Sequence, residues 1–415
     1  VSTAVPRFRL EPASRIKVGS FVDANLATAW VDDEFRTFPG KWGEDPVWGP
    51  ADELRTARGA TPSQALGCRA DELGRVSLPP NDPPGHRHTA TCLHGAVWFE
   101  SLVADPGDPS GRTLYALAHN ENYPETLPWD PDTGTGYRDH AWPSGLRGPD
   151  SVQAVPRILV LRSDDGGTSW TNLGVALEDH DDRLVRLPVN RNRTFPGGVG
   201  DPSAVVCGDF LYVFYGEYGY PGRWDPDSAS AEVEHRGQCI SVARLALADL
   251  RAGRPAARRW DGRAFAAPAD GVGAPVPSLR LDPADGGGPV SDGHRSFLWG
   301  PSVSWNVDLG CWVMLCGRVD APAWVGDAVY LAVNRHPDLG IGDHAVDWSP
   351  PQLLDRRSGR TLWYPCLQPT DDPRDREDRR TSARTGRRSR FFVKELGPEG
   401  DRYASDHLLV LDDDA

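Results

Sequence analysis

The segment Ser163-Asp164-Asp165-Gly166-Gly167-Thr168-Ser169-Trp170 constrains this chain more than any other. Its pattern, S-x-D-x-G-x-S-W, follows an apolar run and specifies a tight hairpin turn. Asp and Ser side chains bond readily to turn backbone. Glycine supplies the positive φ that such a turn needs, and the Trp brings a large ring to bury. Looser copies recur along the chain. Asp249-Leu250 leads to Trp260, Asp338-Leu339 leads to Trp348, and Asp52 with Leu54 follows Trp48 as a degenerate fourth. Asp165, Asp249 and Asp338 lie 84 and 89 residues apart. A fixed period of this size marks a repeat architecture, and a chain of 415 residues holds about five such units.

A second element repeats with the first. Leu114-Tyr115 opens an apolar strand that runs to His119, Asn120 and Glu121, with Tyr123-Pro124 beyond. Leu211-Tyr212 opens a matching strand that runs to Gly216 and Glu217, with Tyr220-Pro221 at the same spacing. The runs from Cys311-Trp312 to Arg318 and from Arg390-Phe391 to Glu395 read as the same strand in two further units. Abundant Gly (44), Pro (38) and Trp (15) suit many short strands joined by turns. Only Ile240 to Leu250 offers a helical candidate. The S-x-D-x-G-x-S-W segment closely resembles the Asp box of sialidases and other β-propeller proteins. The expected fold is therefore all-β, a five-bladed β-propeller with a four-stranded antiparallel sheet in each blade. One domain, 1–415, is expected, with blades over roughly 19–70, 86–180, 196–260, 296–355 and 361–413. Segment 5–18 would add a strand to the last blade and close the ring, which removes an open sheet edge. Segments 261–295 and 369–389 read as long surface loops, and the arginines of the second as a solvated face.

Bulk properties narrow the partners. A net charge of −14 argues against nucleic acid or an anionic membrane surface. No apolar run is long enough to span a bilayer as a helix. Val1 to Gly19 has no apolar signal-peptide core. Seven widely spaced cysteines include no C-x-x-C pair. Cys207, Cys239, Cys311 and Cys316 lie in apolar runs and read as free thiols rather than a disulfide framework. The expected location is cytoplasmic, unless a leader has been removed and the protein is secreted. The oligomeric state stays open.

In a propeller the innermost strands line the central channel, and residues where those strands begin converge. Here those residues are Asp23, Asp201 in Gly200-Asp201-Pro202-Ser203, Ser302 in Trp299-Gly300-Pro301-Ser302, and Tyr364-Pro365. At these positions the chain resembles the five-bladed glycoside hydrolases of the arabinanase, fructosidase and xylosidase group. The resemblance implies an enzyme cleaving a glycosidic bond in a small-molecule or oligosaccharide substrate. It matches Asp23 to a first-blade Asp and Asp201-Pro202 to a D-P Asp on a later blade. Such chemistry needs one protonated carboxyl to serve the leaving oxygen and one ionised carboxylate as base or nucleophile. The expected roles are Asp23 as base or nucleophile, Asp201 as orienter, and Glu217 or Glu121 as acid. His119, His88, Trp299, Ser302, Tyr364 and Arg36 are candidate substrate contacts. No cofactor is expected. His86, His88, Cys92 and His94 would share one strand face, so a structural or channel metal ion near His86, His88 and His94 stays open beside a hydrogen-bonded cluster. Two alternatives stand. A sialidase-like hydrolase would gather arginines on a carboxylate, from Arg36, Arg157, Arg244 and Arg318, with Tyr364 as nucleophile. A non-catalytic propeller would bind a ligand or protein, or the scaffold would serve another transformation.

Overall fold

The computed structural model describes residues 5–45, 49–50, 54–80, 95–121, 156–178, 198–218, 239–281, 295–321 and 325–412. His86, His88, Cys92, His94, Trp48 and Asp52 lie outside the described residues.

Among the described residues the strands form five mainly antiparallel sheets in chain order, the blades of a five-bladed propeller, and one small two-stranded sheet, Glu44–Asp45 with Gly49–Pro50. The innermost strands of blades 1 to 5 are Thr28–Val31, Ala96–Ala104, Val199–Cys207, Arg295–Asn306 and Thr361–Gln368. Each blade carries four antiparallel strands, and blades 2, 3 and 4 extend to five. In blade 4 the fifth strand is Arg384–Thr385, which pairs in parallel with the axis-facing edge of Arg295–Asn306. In blade 5 the N-terminal strand Arg7–Lys17 pairs with Arg402–Asp412, so the two ends of the chain share one sheet.

Five apolar cores sit between neighbouring blades. Strand periodicity explains them. In Leu114–Glu121, Leu114, Ala116 and Ala118 pack toward blade 1, while Tyr115 and Leu117 pack toward blade 3. Both faces of a blade are thus buried, and the strands read as unbroken apolar runs rather than alternating ones. The Ser163–Trp170 turn joins two outer strands of blade 2. Asp165 Oδ1 accepts from the Ser163 hydroxyl (2.8 Å) and from the Thr168 and Ser169 amides (3.0 and 2.9 Å). Gly166 and Gly167 have φ of 73° and 88°. The Trp170 ring lies edge-on to Phe38 of blade 1 and Phe99 of blade 2.

Three expectations are corrected. Ile240 to Leu250 is mostly strand, Cys239–Ala246, with one short helix, Leu247–Arg251. The segment 261–281 is packed, with Ala274, Val276, Leu279 and Leu281 buried. In the segment 369–389 the reading of a solvated face holds for Arg374, Arg376, Arg379, Arg384 and Arg388, which are exposed, and fails at one arginine. Arg380 is 5% exposed and binds Asp375, Asp378 and Asp308. No disulfide occurs among the described cysteines. No helix among the described residues is long and apolar enough to cross a membrane.

Candidate active site

Side chains of an innermost strand point into the cores between blades, so a group meant for the axis must be re-aimed. Bulges do this in four blades. In blade 3, Gly200 pairs with Gly216 and Ser203 with Phe214, leaving Asp201-Pro202 opposite one residue. Blade 4 bulges at Gly300-Pro301 and blade 5 at Tyr364-Pro365. Proline suits the bulge because it has no N–H to withdraw from the ladder. The residue before each Pro takes positive φ: 52° at Asp201, 58° at Gly300, 49° at Tyr364. Non-glycine residues rarely adopt that conformation. Blade 2 bulges without Pro. Phe99 pairs with Ala118 and Ser101 with Leu117, and Glu100 between them is the extra residue.

The bulges bring Glu100 and Asp201 together with His119. One ligand-capable atom from each lies within 4.8 Å of the others, and all three residues are buried. Asp201 is fixed on one side. Its Oδ2 accepts from the Tyr218 hydroxyl, and the Trp299 indole N–H lies 2.8 Å from the same oxygen. The Asp201 amide donates to His119 Nδ1 at 3.1 Å. Gly200 permits this contact, since a Cβ there would meet His119 Nδ1 at 2.5 Å. On the other side, Asp201 Oδ1 and Glu100 Oε1 have no hydrogen-bond partner among the described residues. Glu100 Oε2 accepts from the Asn25 amide at 2.6 Å.

Electrostatics separate the carboxyls. Burial pushes the Glu100 carboxyl well above the usual range, and the charges of Asp201 and Asp23 add to the rise. Asp23 lies beside the cluster with its side chain 29% exposed. Burial raises its carboxyl on balance, and the Lys394 ammonium, 2.6 Å away, partly offsets that rise by favouring the ionised form. Burial lowers the pKa of His119, against the pull of Asp201. The Tyr218 and Tyr364 hydroxyls are pushed well up, first by burial and then by the charge of Asp201. On balance both carboxyls are raised, Glu100 well above the usual range, and of the two only Asp23 has a cation beside it to favour ionisation.

Of the residues singled out from the sequence, Asp23, Asp201, His119, Trp299 and Tyr364 converge here. Trp299 packs on Tyr364 with ring centroids 4.7 Å apart. Ser302 follows the blade 4 bulge and is buried. Glu217 is elsewhere. Its Oε2 is bound by Arg259 Nη1 (2.9 Å) and the Gly273 amide (2.8 Å) inside blade 3. Glu121 Oε1 accepts from Trp98 Nε1 at 3.4 Å at the end of its strand. Arg36 braces the Ser163–Trp170 turn through the Gly166 carbonyl, away from the axis. The other arginines considered for a carboxylate clamp have separate partners: Arg157 binds Asn120, Arg244 lies over Phe210 and Phe265, and Arg318 binds Asp320. Glu100, Tyr218 and Lys394 are the members that the sequence reading missed. A charge inside the apolar run Ala96–Ala104 is the signal that marks Glu100.

As a cation site the trio offers two carboxyl oxygens without a hydrogen-bond partner among the described residues, but His119 Nδ1 already accepts from a backbone amide. Metal ligands are deprotonated and have their lone pairs free.

No family model and no curated protein matches the chain. Among solved structures it is similar to an alpha-L-arabinofuranosidase from Lactobacillus brevis, at 10% identity, covering 94% of each chain, with a TM-score of 0.48. It is similar to an exo-1,5-alpha-L-arabinanase from a bovine ruminal metagenomic library, at 10% identity, covering 94% of this chain and 95% of that one, with a TM-score of 0.40. It is also similar to a GH43_1 enzyme from Xanthomonas citri, at 12% identity, covering 97% and 89%, with a TM-score of 0.42. At these values the chemistry has to be read from this chain's own side chains.

Proposed function

We propose that this protein is a glycoside hydrolase in which Glu100 is the general acid and Asp23 the base or nucleophile. One observation carries the reading: two neighbouring carboxyls have unequal surroundings, Glu100 buried with no cation partner and Asp23 held against Lys394. A glycosidase needs that pairing. Glu100, held toward its protonated form by burial, would hand its proton to the leaving oxygen. Asp23, paired with Lys394 and the most accessible of the three carboxyls, would act on the sugar or on a water. Asp201, clamped by Tyr218 and Trp299, orients the cluster, and its charge favours the protonated form of Glu100.

The test is leaving-group dependence. Glu100→Gln should lower kcat/KM about 10²- to 10⁴-fold on aryl glycosides with poor leaving groups. Activated leaving groups need little protonation and should lose far less. Equal losses on both would remove Glu100 from the acid role. No hydrolysis by wild type across a broad glycoside panel would favour a binding propeller instead.

A further inference from the structure

We infer that the cleft beside Asp23 selects an anionic glycan, one carrying carboxylate or sulfate groups. This deepens the glycosidase reading and rests on it for the place of the reacting sugar at Asp23. A cavity of about 520 Å³ opens between the segment after the N-terminal strand, the turn 67–70 and the blade 5 hairpin. That volume is in the range of small-ligand sites. Its wall includes Lys394, the partner of Asp23, so the cavity and the carboxylate share a residue.

The charge of the lining is opposite to that of the chain. Lys17, Arg69, Lys394 and Arg402 line the cavity against a single acid, Asp401. A second cavity of about 420 Å³ shares Lys17, Asp401 and Arg402 and adds Arg15 and Arg360 against Glu399. The two form one cationic trough leading away from Asp23. Some of this charge is already met. Lys394 is buried and pairs with Asp23 and Asp401, Arg360 and Arg402 share the buried Glu395, and Arg69 pairs with exposed Asp71. Lys17 is exposed and makes no ion pair among the described residues. In a protein of net charge −14, such a trough favours anions locally.

The trough also has an aromatic floor. Phe21 is 53% exposed, and Lys394 Nζ sits 4.6 Å from its ring centroid. An exposed ring beside ammonium and guanidinium groups suits a ligand with both apolar C–H faces and negative charge. A uronate or sulfated sugar has both. Gly19 lets the wall close, since a Cβ there would meet the Cys68 carbonyl oxygen at 2.3 Å.

The experiment measures binding to the full chain carrying Glu100→Gln, so that turnover does not enter. The probes are oligogalacturonides and glucuronate-bearing xylan oligosaccharides, each beside its methyl ester, together with a sulfated galactan oligosaccharide and its desulfated form. At least one anionic probe should bind about tenfold or more tighter than its neutral partner, with affinity falling as salt rises. Lys17→Glu, at an exposed position, should weaken the anionic probe and leave the neutral one unchanged. Three results would overturn the inference: equal affinity for the neutral form, no binding of any anionic probe, or a preference untouched by combined Lys17→Glu and Arg69→Glu. The two readings separate cleanly. Anion selectivity without hydrolysis by wild type would sink the glycosidase and spare the trough. Hydrolysis of neutral glycosides without anion selectivity would do the reverse.

Discussion

Glu100 in blade 2 and Glu217 in blade 3 are both buried glutamates, 3% and 0% exposed. Their surroundings are opposite. Glu217 has a guanidinium and a backbone amide on one oxygen, and Gly273 admits that amide because it lacks a side chain. Glu100 has one amide, an oxygen without a partner among the described residues, and two neighbouring carboxyls. Burial alone therefore does not mark a reactive carboxyl. The mark is burial without compensation. A compensated acid holds the blade together, and an uncompensated one holds a proton.

The largest effect should come from breaking the compensated side. Glu217→Ala leaves Arg259 charged and buried, which should cost about 3–5 kcal/mol of stability, read by denaturant unfolding. Glu100→Gln replaces a protonated acid by a neutral amide of the same shape and should leave stability unchanged or higher, although it lowers activity on poor leaving groups. Equal destabilisation by the two would erase the contrast.

The next effect is on pH dependence. The unfolded chain releases the Glu100 proton above about pH 4.3, whereas the fold retains it. The unfolded state then binds fewer protons, so this residue makes stability fall as pH rises from that value toward its raised pKa. Subtracting the Glu100→Gln stability curve from that of wild type should leave that downward slope. A flat difference would mean that Glu100 titrates normally.

Asp165 gives the smallest effect and a third case. It is a surface acid whose oxygens accept several turn hydrogen bonds, and these hold its carboxyl below the ordinary value. Asp165→Ala should cost about 2 kcal/mol and leave activity per folded molecule unchanged, measured by thermal unfolding beside an assay.

These cases also show what was legible in the sequence. Turn chemistry and the spacing of Asp165, Asp249 and Asp338 led to five blades, because hairpin turns need particular residues at fixed offsets. Asp201 was visible because its bulge is written as Gly-Asp-Pro-Ser, and Trp299 and Tyr364 because theirs also contain Pro. Glu100 was hidden because its bulge has neither Gly nor Pro, so only the register reveals it. Lys394 lay in a strand already recognised as a repeat, but its reach to Asp23 spans 371 residues of chain. Glu217 drew attention for ending a strand at the place where Glu121 ends another. Its partner Arg259 arrives from two strands further along the blade, which strand patterning does not disclose.

The central claim is that Glu100 holds its proton at neutral pH beside an Asp23 paired with Lys394. Infrared difference spectroscopy on carboxyl-labelled glutamate tests it directly. At pH 7 wild type should show the C=O stretch of a neutral carboxylic acid, kept in Glu217→Gln and lost in Glu100→Gln. A wild-type spectrum at pH 7 with glutamate carboxylate bands alone would contradict it.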